Sequence, residues 1–220
     1  TLPLLLGGCG EKTKVETVIK TKPVDEVPIN SIKYKITGDE VTITSCDKKA
    51  SGTLTIPATI EGKTVTSIGH QAFKSCKSLT RITIPDSVTS IESEAFGVCS
   101  SLTSITIPNN VTSIGRFAFF WCDSLTNITI PDSVTNIGER ALTGCPSLTN
   151  ITIGDGLTSI GSGVFADCGK LNTVTFHGDA PRARSYTFLN STPTIYRKPE
   201  AKGWGDTFGG RPVKLISEKP

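Results

Sequence analysis

Residues 101–122 read SLTSITIPNNVTSIGRFAFFWC, and most of this string recurs along the chain. Leu79, Leu102, Leu125, Leu148 and Leu171 are each 23 residues apart, and so are Cys76, Cys99, Cys122, Cys145 and Cys168. A fixed period of this length marks a solenoid, in which each unit buries its apolar side only by stacking on its neighbours. The unit is L-T-x-I-T-I-P-x-x-V-T-x-I-G-x-x-A-F-x-x-C-x-S. Four complete copies run from Leu79 to Lys170. An earlier copy, Ser51 to Ser78, is five residues longer, and a partial copy starts at Leu171 and departs from the pattern after Phe176.

Each position of the unit has a physical reading. Leu102, Ile105 and Ile107 point to one side, and Thr106 between two isoleucines gives the two-residue alternation of a strand. Pro108 has no N–H to donate and ends the strand. The next two residues are Asn109-Asn110 here and Asp86-Ser87, Asp132-Ser133 or Asp155-Gly156 elsewhere, all suited to a tight turn. Val111 and Ile114 predict a second short strand that Gly115 ends. Arg116 to Cys122 has the length for one or two helical turns, which would turn Ala118, Phe119 and Cys122 inward. The expected fold class is therefore an α/β repeat protein, a strand-rich solenoid of 23-residue repeats with short helical turns. Neighbouring coils would stack about 4.8 Å apart.

The repeated strings LTSITIPNNVTSIGRFAFFWC and LTNITIPDSVTNIGERALTGC resemble the BspA-like leucine-rich repeat family of bacterial surface proteins. The resemblance covers roughly Tyr34 to the C-terminus, and GWGDTFGGRPVKL, residues 203–215, resembles the terminal segment of such proteins. It departs in single repeats only: Glu92 stands for Gly, Leu142 for Phe and Gly154 for Pro. The resemblance implies a right-handed leucine-rich repeat solenoid and a role at the bacterial cell surface.

Around the repeats, the chain divides into further segments. Residues 1–9, TLPLLLGGC, resemble the end of a lipoprotein-type signal, an apolar run and small residues before the cysteine that receives lipid. Cys9 is thus the expected lipidation site, and the absence of methionine fits a processed chain. Residues 10–30 mix charges of both signs with prolines and read as a tether. Residues 31–52 contain two alternating runs around Gly38-Asp39-Glu40, the pattern of a hairpin, and are expected to cap the first coil. The repeats proper would occupy 53–178. Residues 179–220, with Tyr186, Phe188, Tyr196, Trp204 and Phe208, are expected to cap the last coil, because an open stack invites end-to-end pairing.

Composition bounds the function. The chain is 220 residues long, 36% hydrophobic and 20% charged. A net charge of +3, with no basic stripe interleaved with aromatics, gives no case for nucleic acid. Threonine, with 31 copies, favours pleated, half-buried surfaces. The repeat cysteines form a linear ladder with parallel Cβ vectors, poor for disulfides and not convergent on a metal. They read as small buried packing residues with weak donors, free and slow to react. His70 and His177 have no partner at motif spacing, and no nucleotide, zinc or calcium motif is present. No catalytic residue, metal or cofactor is expected, and membrane attachment would come only through lipid on Cys9.

Three surfaces are candidates for binding, the third being the C-terminal region from Pro181 to Leu215, for which capping is the favoured role. On the strand face, threonines alternate with a variable column of Arg81, Ser104, Asn127 and Asn150. The family resemblance favours this face, since leucine-rich repeats commonly bind partners there. A solvated threonine ladder that only supports the sheet is the alternative. The second surface is Phe117, Phe120 and Trp121, where other repeats carry Glu94, Gly97 and Val98, or Arg140, Thr143 and Gly144, or Gly163, Ala166 and Asp167. Three exposed aromatics would form a patch that monomers usually avoid. The alternative is packing on the turn side, with Phe120 or Trp121 over Val98. The leading expectation is a monomeric, lipid-anchored surface protein that binds a protein or glycan partner. Alternatives are a structural cell-envelope protein without a specific ligand and, more remotely, a hydrolase with a cryptic site.

Overall fold

Each coil turns its apolar residues inward. In the coil that begins at Leu102, the residues Leu102, Ile105, Ile107, Val111, Ile114, Ala118, Phe119 and Cys122 are all buried, and the same positions are buried in its neighbours. The computed structural model describes residues 31–219, so Cys9 and the whole predicted tether, residues 10–30, lie outside the described residues. The coils stack into a solenoid of about seven turns. The 23-residue period is the register itself: Asn127 pairs with Asn150 and Ile128 with Ile151.

One side of the stack is built from the L-x-x-I-x-I segments. Strands Ser51–Thr55, Ser78–Thr83 and Ser104–Thr106 form a three-stranded parallel sheet. Asn127–Ile130, Asn150–Ile153, Thr173–Phe176, Thr194–Arg197 and Arg211–Leu215 continue the same side as a second parallel sheet, edged by antiparallel Thr207–Phe208. Between the two sheets the Thr126 N–H still bonds Thr103 O. The second side carries the short V-T-x-I strands, from Lys63–Ile68 through Ser90–Ile91, Ser113–Ile114, Asn136–Ile137 and Ser159–Ile160 to Arg182–Ala183. Its first strands, Ile32–Thr37 and Glu40–Cys46, are the hairpin expected from the sequence.

The third side is not helical. The segment from Arg116 to Cys122 contains no helix, and among the described residues the helical element with defined bounds is the single 3-10 turn Ile216–Glu218. The fold is thus a β-solenoid rather than an α/β repeat with helical turns. The backbone gives the reason. Phe117 and Trp121 have φ of 55° and 53°, and Glu94, Val98, Arg140, Gly144, Gly163 and Asp167 repeat this at the same positions. A left-handed residue cannot sit inside a right-handed helix. Its effect is to align the peptide groups along the stack. The N–H groups of Phe117, Phe119 and Trp121 donate to Glu139, Ala141 and Thr143 O in the next coil, at 2.9, 2.7 and 3.0 Å. The backbone polar groups that a helix would satisfy within itself are satisfied between coils.

Three side-chain ladders add to these bonds. Phe73, Phe96 and Phe119 stack nearly parallel, with ring centroids 5.2 and 5.3 Å apart. Leu142 interrupts the column before Phe165 and Phe188 resume it at 5.4 Å. Cys99, Cys122, Cys145 and Cys168 each donate Sγ–H to a carbonyl of the preceding coil at 3.1–3.2 Å. Ser191 fills the same slot, donating to Phe165 O at 2.7 Å. The cysteines are free and buried, so the thiol acts as packing and as a donor. Thr103 and Thr112 place both N–H and Oγ1–H on one carbonyl, Thr80 O and Thr89 O respectively.

Gly115 allows the coils to come close. A Cβ there would lie 2.5 Å from Glu92 C and Ser93 N of the preceding coil. At the C-terminal end, Trp204 and Phe208 lie on Phe176, with centroids 4.9 and 5.5 Å away, and Trp204 Nε1 donates to Gly178 O.

Candidate functional site

The turn side of the stack carries the candidate site, and its outward residues decide its shape. Successive coils place four residues in each outward column. One column is Phe117, Arg140, Gly163 and Tyr186, a second is Phe120, Thr143, Ala166 and Leu189, and a third is Trp121, Gly144, Asp167 and Asn190. In the second column two bulky residues enclose two small ones. The result is a groove of about 360 Å³, walled by Phe120 and Trp121 at one end and by Tyr186 and Leu189 at the other. Thr143, Gly163 and Ala166 lie between them.

The three aromatics singled out from the sequence do come together. Phe117 and Phe120 meet edge to face at 5.4 Å, and Phe120 stacks on Trp121 at 5.1 Å. Arg116 lies over the Phe117 ring, 5.7 Å from its centroid, and pairs with Glu139 at 3.1 Å. Phe117 and Phe120 are half-buried, whereas Trp121 is 54% exposed. Trp121 leans away from Val98, toward the following coil. Its indole covers Gly144, where a Cβ would fall 1.9 Å from Cδ1. Gly144 is therefore the residue that lets the indole lie flat.

Arg140 crosses the groove in the same direction. Its Cγ would be 3.4 Å from a Cβ on Gly163. It makes no ion pair among the described residues. Asp167, on the opposite rim, accepts a bond from Asn190 Nδ2 at 2.7 Å.

The strand-face residues form a separate column. Arg81 pairs with Ser104 and Asn127 with Asn150. This column lies on a different side of the coil from the aromatics, so the two sets do not form one site. Its amides are largely engaged with one another. Asn150 Nδ2 donates to Thr149 Oγ1 at 3.0 Å and to Asn127 Oδ1 at 3.4 Å, and Thr173 Oγ1 donates to Asn150 Oδ1 at 2.6 Å. A shallower depression of about 280 Å³ lies nearby, where Asn127 meets Ile105 and Asn109.

Tyr186 and Leu189 fall in the C-terminal region whose favoured sequence reading is a cap, and the structure places them on the groove. The cap reading follows from the loss of the repeat pattern after Phe176 and the need of an open stack for a covered end. The signal lay one residue type away: Tyr186-Thr187-Phe188-Leu189-Asn190-Ser191 aligns with Phe117-Ala118-Phe119-Phe120-Trp121-Cys122 once Ser191 is read as the cysteine.

Little in the groove resembles a reaction centre. Neither His70 nor His177 borders it. Among the described residues no three His, Cys, Asp or Glu side chains are grouped to hold a metal ion. No helix among them is long and apolar enough to cross a membrane.

Residues 66–194 match the model of the BspA type leucine rich repeat region in six copies. No curated relative matches the chain. Among solved structures, the chain is similar to a leucine-rich repeat protein of T. pallidum, at 29% identity and a TM-score of 0.67, over 78% of this chain and 85% of that one. It is also similar to a leucine-rich repeat protein of Bacteroides ovatus, at 29% identity and a TM-score of 0.62. That alignment covers 77% of this chain and 54% of the other, so the chain spans about half of the larger protein. With the matched repeats occupying more than half of its length, the chain belongs to the BspA-type leucine-rich repeat family.

Proposed function

We propose that this is a binding protein of the bacterial cell surface, and that it offers the groove on its turn side to a protein or glycan partner. One observation carries the reading. Of the four exposed large hydrophobic residues among those described, Trp121, Tyr186 and Leu189 border this one groove, and only Tyr34 lies elsewhere. Contiguous exposed apolar surface marks interaction sites, and Trp and Tyr dominate binding hot spots. Membership of a family of surface proteins supports the location. Attachment through lipid on Cys9 belongs to the same proposal.

The test is capture of partners from cell-envelope and host-matrix extracts by the wild type and by a Phe120→Ser/Trp121→Ser variant. A partner held by the wild type and lost by the variant supports the reading. Equal capture by both, or none by either, overturns it in favour of a purely structural envelope protein. Mass spectrometry of the natural protein, looking for diacylglycerol on Cys9, tests the anchor separately.

A further inference from the structure

The groove narrows the chemistry of its occupant. Its volume of about 360 Å³ is at the small-ligand end of protein pockets and far short of a protein–protein footprint. It holds one or two ring-sized units. The most exposed wall residues are aromatic, Trp121 at 54% and Tyr186 at 70%, with Leu189 beside Tyr186. An aromatic face carries partial negative charge and attracts the partially positive C–H groups of a ring laid on it. Between the walls the floor is made of the short side chains of Thr143 and Ala166 with Gly163, where the Arg140 stem lies close.

The backbone argues against a peptide. An extended peptide binds by adding to an exposed edge of N–H and C=O groups. Here the turn side spends those groups from coil to coil: Arg140 N–H bonds Ser162 O, Leu142 bonds Val164 O and Gly144 bonds Ala166 O. No edge is open in the groove for a peptide backbone to pair with, whereas a sugar ring needs none.

The charges supply the last element. Arg140 brings a guanidinium to the groove without an ion-pair partner among the described residues, while Arg116 is paired with Glu139. Arg184 borders the adjoining depression, which shares Ser162 with the groove. The groove's carboxylate, Asp167, is engaged by Asn190. Across the groove and the adjoining depression, Arg116, Arg140 and Arg184 against Glu139 and Asp167 leave one net positive charge, and a guanidinium free of a carboxylate partner binds one through two parallel hydrogen bonds.

Resting on the reading of the groove as a binding site, we propose that its ligand is a carboxylate-bearing pyranose, a uronic acid unit of an acidic glycan. The ring stacks on Trp121 and its carboxylate pairs with Arg140.

The probe is a tetragalacturonate oligosaccharide, titrated into the full chain at low salt and followed by calorimetry. Maltotetraose serves as the neutral comparator and a short acidic, aromatic peptide as the rival occupant. The expected result is binding of the uronate with little binding of the other two. Trp121→Ala and Arg140→Gln should each weaken it about tenfold or more. Added salt should weaken it further. Arg140 is exposed, so an unchanged melting temperature verifies that the Gln variant is folded. Equal binding of maltotetraose, tighter binding of the peptide, no effect of Arg140→Gln, or no uronate binding each overturns the proposal. A protein partner captured by the wild type and lost by the Trp121 variant, without uronate binding, would sink this inference and leave the broader reading of the groove standing.

Discussion

Gly144→Ala tests whether the groove wall is shaped as described. The alanine Cβ would fall 1.9 Å from Trp121 Cδ1 and 2.3 Å from Nε1. Carbon atoms in contact sit about 3.5–4.0 Å apart, so the indole must move by roughly 2 Å. It would leave the surface of Gly144 and lose its stack on Phe120. That stack is worth about 0.5–1.5 kcal/mol. Gly144 also has φ of 72°, which costs an L-residue about 1–2 kcal/mol. The total is a loss of about 1.5–3.5 kcal/mol. In a Trp121→Ala background only the backbone cost remains. A double-mutant cycle should therefore show a coupling of about 0.5–1.5 kcal/mol. Urea denaturation followed by circular dichroism measures all four proteins. A conservative Trp204→Phe background makes the emission report Trp121 alone, and Gly144→Ala should shift it to the red and increase acrylamide quenching. An equal cost in both backgrounds, with unchanged emission, would refute the placement of the indole over Gly144.

Three further outcomes are expected. Phe119→Ala removes a fully buried ring at the end of the Phe73–Phe96–Phe119 stack and should cost about 3–5 kcal/mol, read as a lower urea midpoint; an unchanged midpoint would contradict the inward face. Native thiols should react slowly with an aromatic disulfide reagent at pH 8, since burial pushes Cys99 up to about 12 and Cys122 well above the ordinary thiol range. Cys76 and Cys168 should react before the others, because the neighbouring Cys46 and Cys145 thiols, with the Lys48 ammonium near Cys76, lower them; peptide mapping after partial labelling would show whether the order holds. Glu94→Gln should cost under about 1 kcal/mol, as the ion pair with Lys74 is partly exposed. The hydrogen bond from Lys74 lowers the Glu94 carboxyl below its ordinary value. The wild-type advantage is thus present above the unfolded carboxyl's pKa and lost as pH falls through the folded one. Paired melts at pH 7 and pH 3 would reveal an advantage that fails to shrink.

The period and the inward set were legible because they are carried by residue type at fixed spacing. Leucine, isoleucine, valine, phenylalanine and cysteine recur wherever a side chain must be buried, and the structure buries those positions. The turn side was misread because its conformation is not written in residue type. Left-handed residues are usually announced by glycine or asparagine, yet here phenylalanine, tryptophan, arginine and valine hold positive φ. Bonds to the neighbouring coils hold them there, and a single repeat read alone does not contain those bonds. The candidate site divides in the same way. Phe117, Phe120 and Trp121 stood out by comparison with sibling repeats. The opposite wall did not, because Ser191 in the cysteine slot hid the repeat to which Tyr186 and Leu189 belong.

The stack of coils is also a ruler. In the Phe120 column the groove is two coils of small residues between two coils of large ones, and its walls stand outside the buried Leu, Ile, Val, Phe and Cys ladders. Duplicating one 23-residue unit between the walls would lengthen the groove by one strand spacing, about 4.8 Å, without disturbing a buried side chain. Deleting one would shorten it by the same step. A lineage that copies and loses whole repeats can therefore change the length of the ligand it measures in discrete steps, while the chemistry of each wall stays as it was.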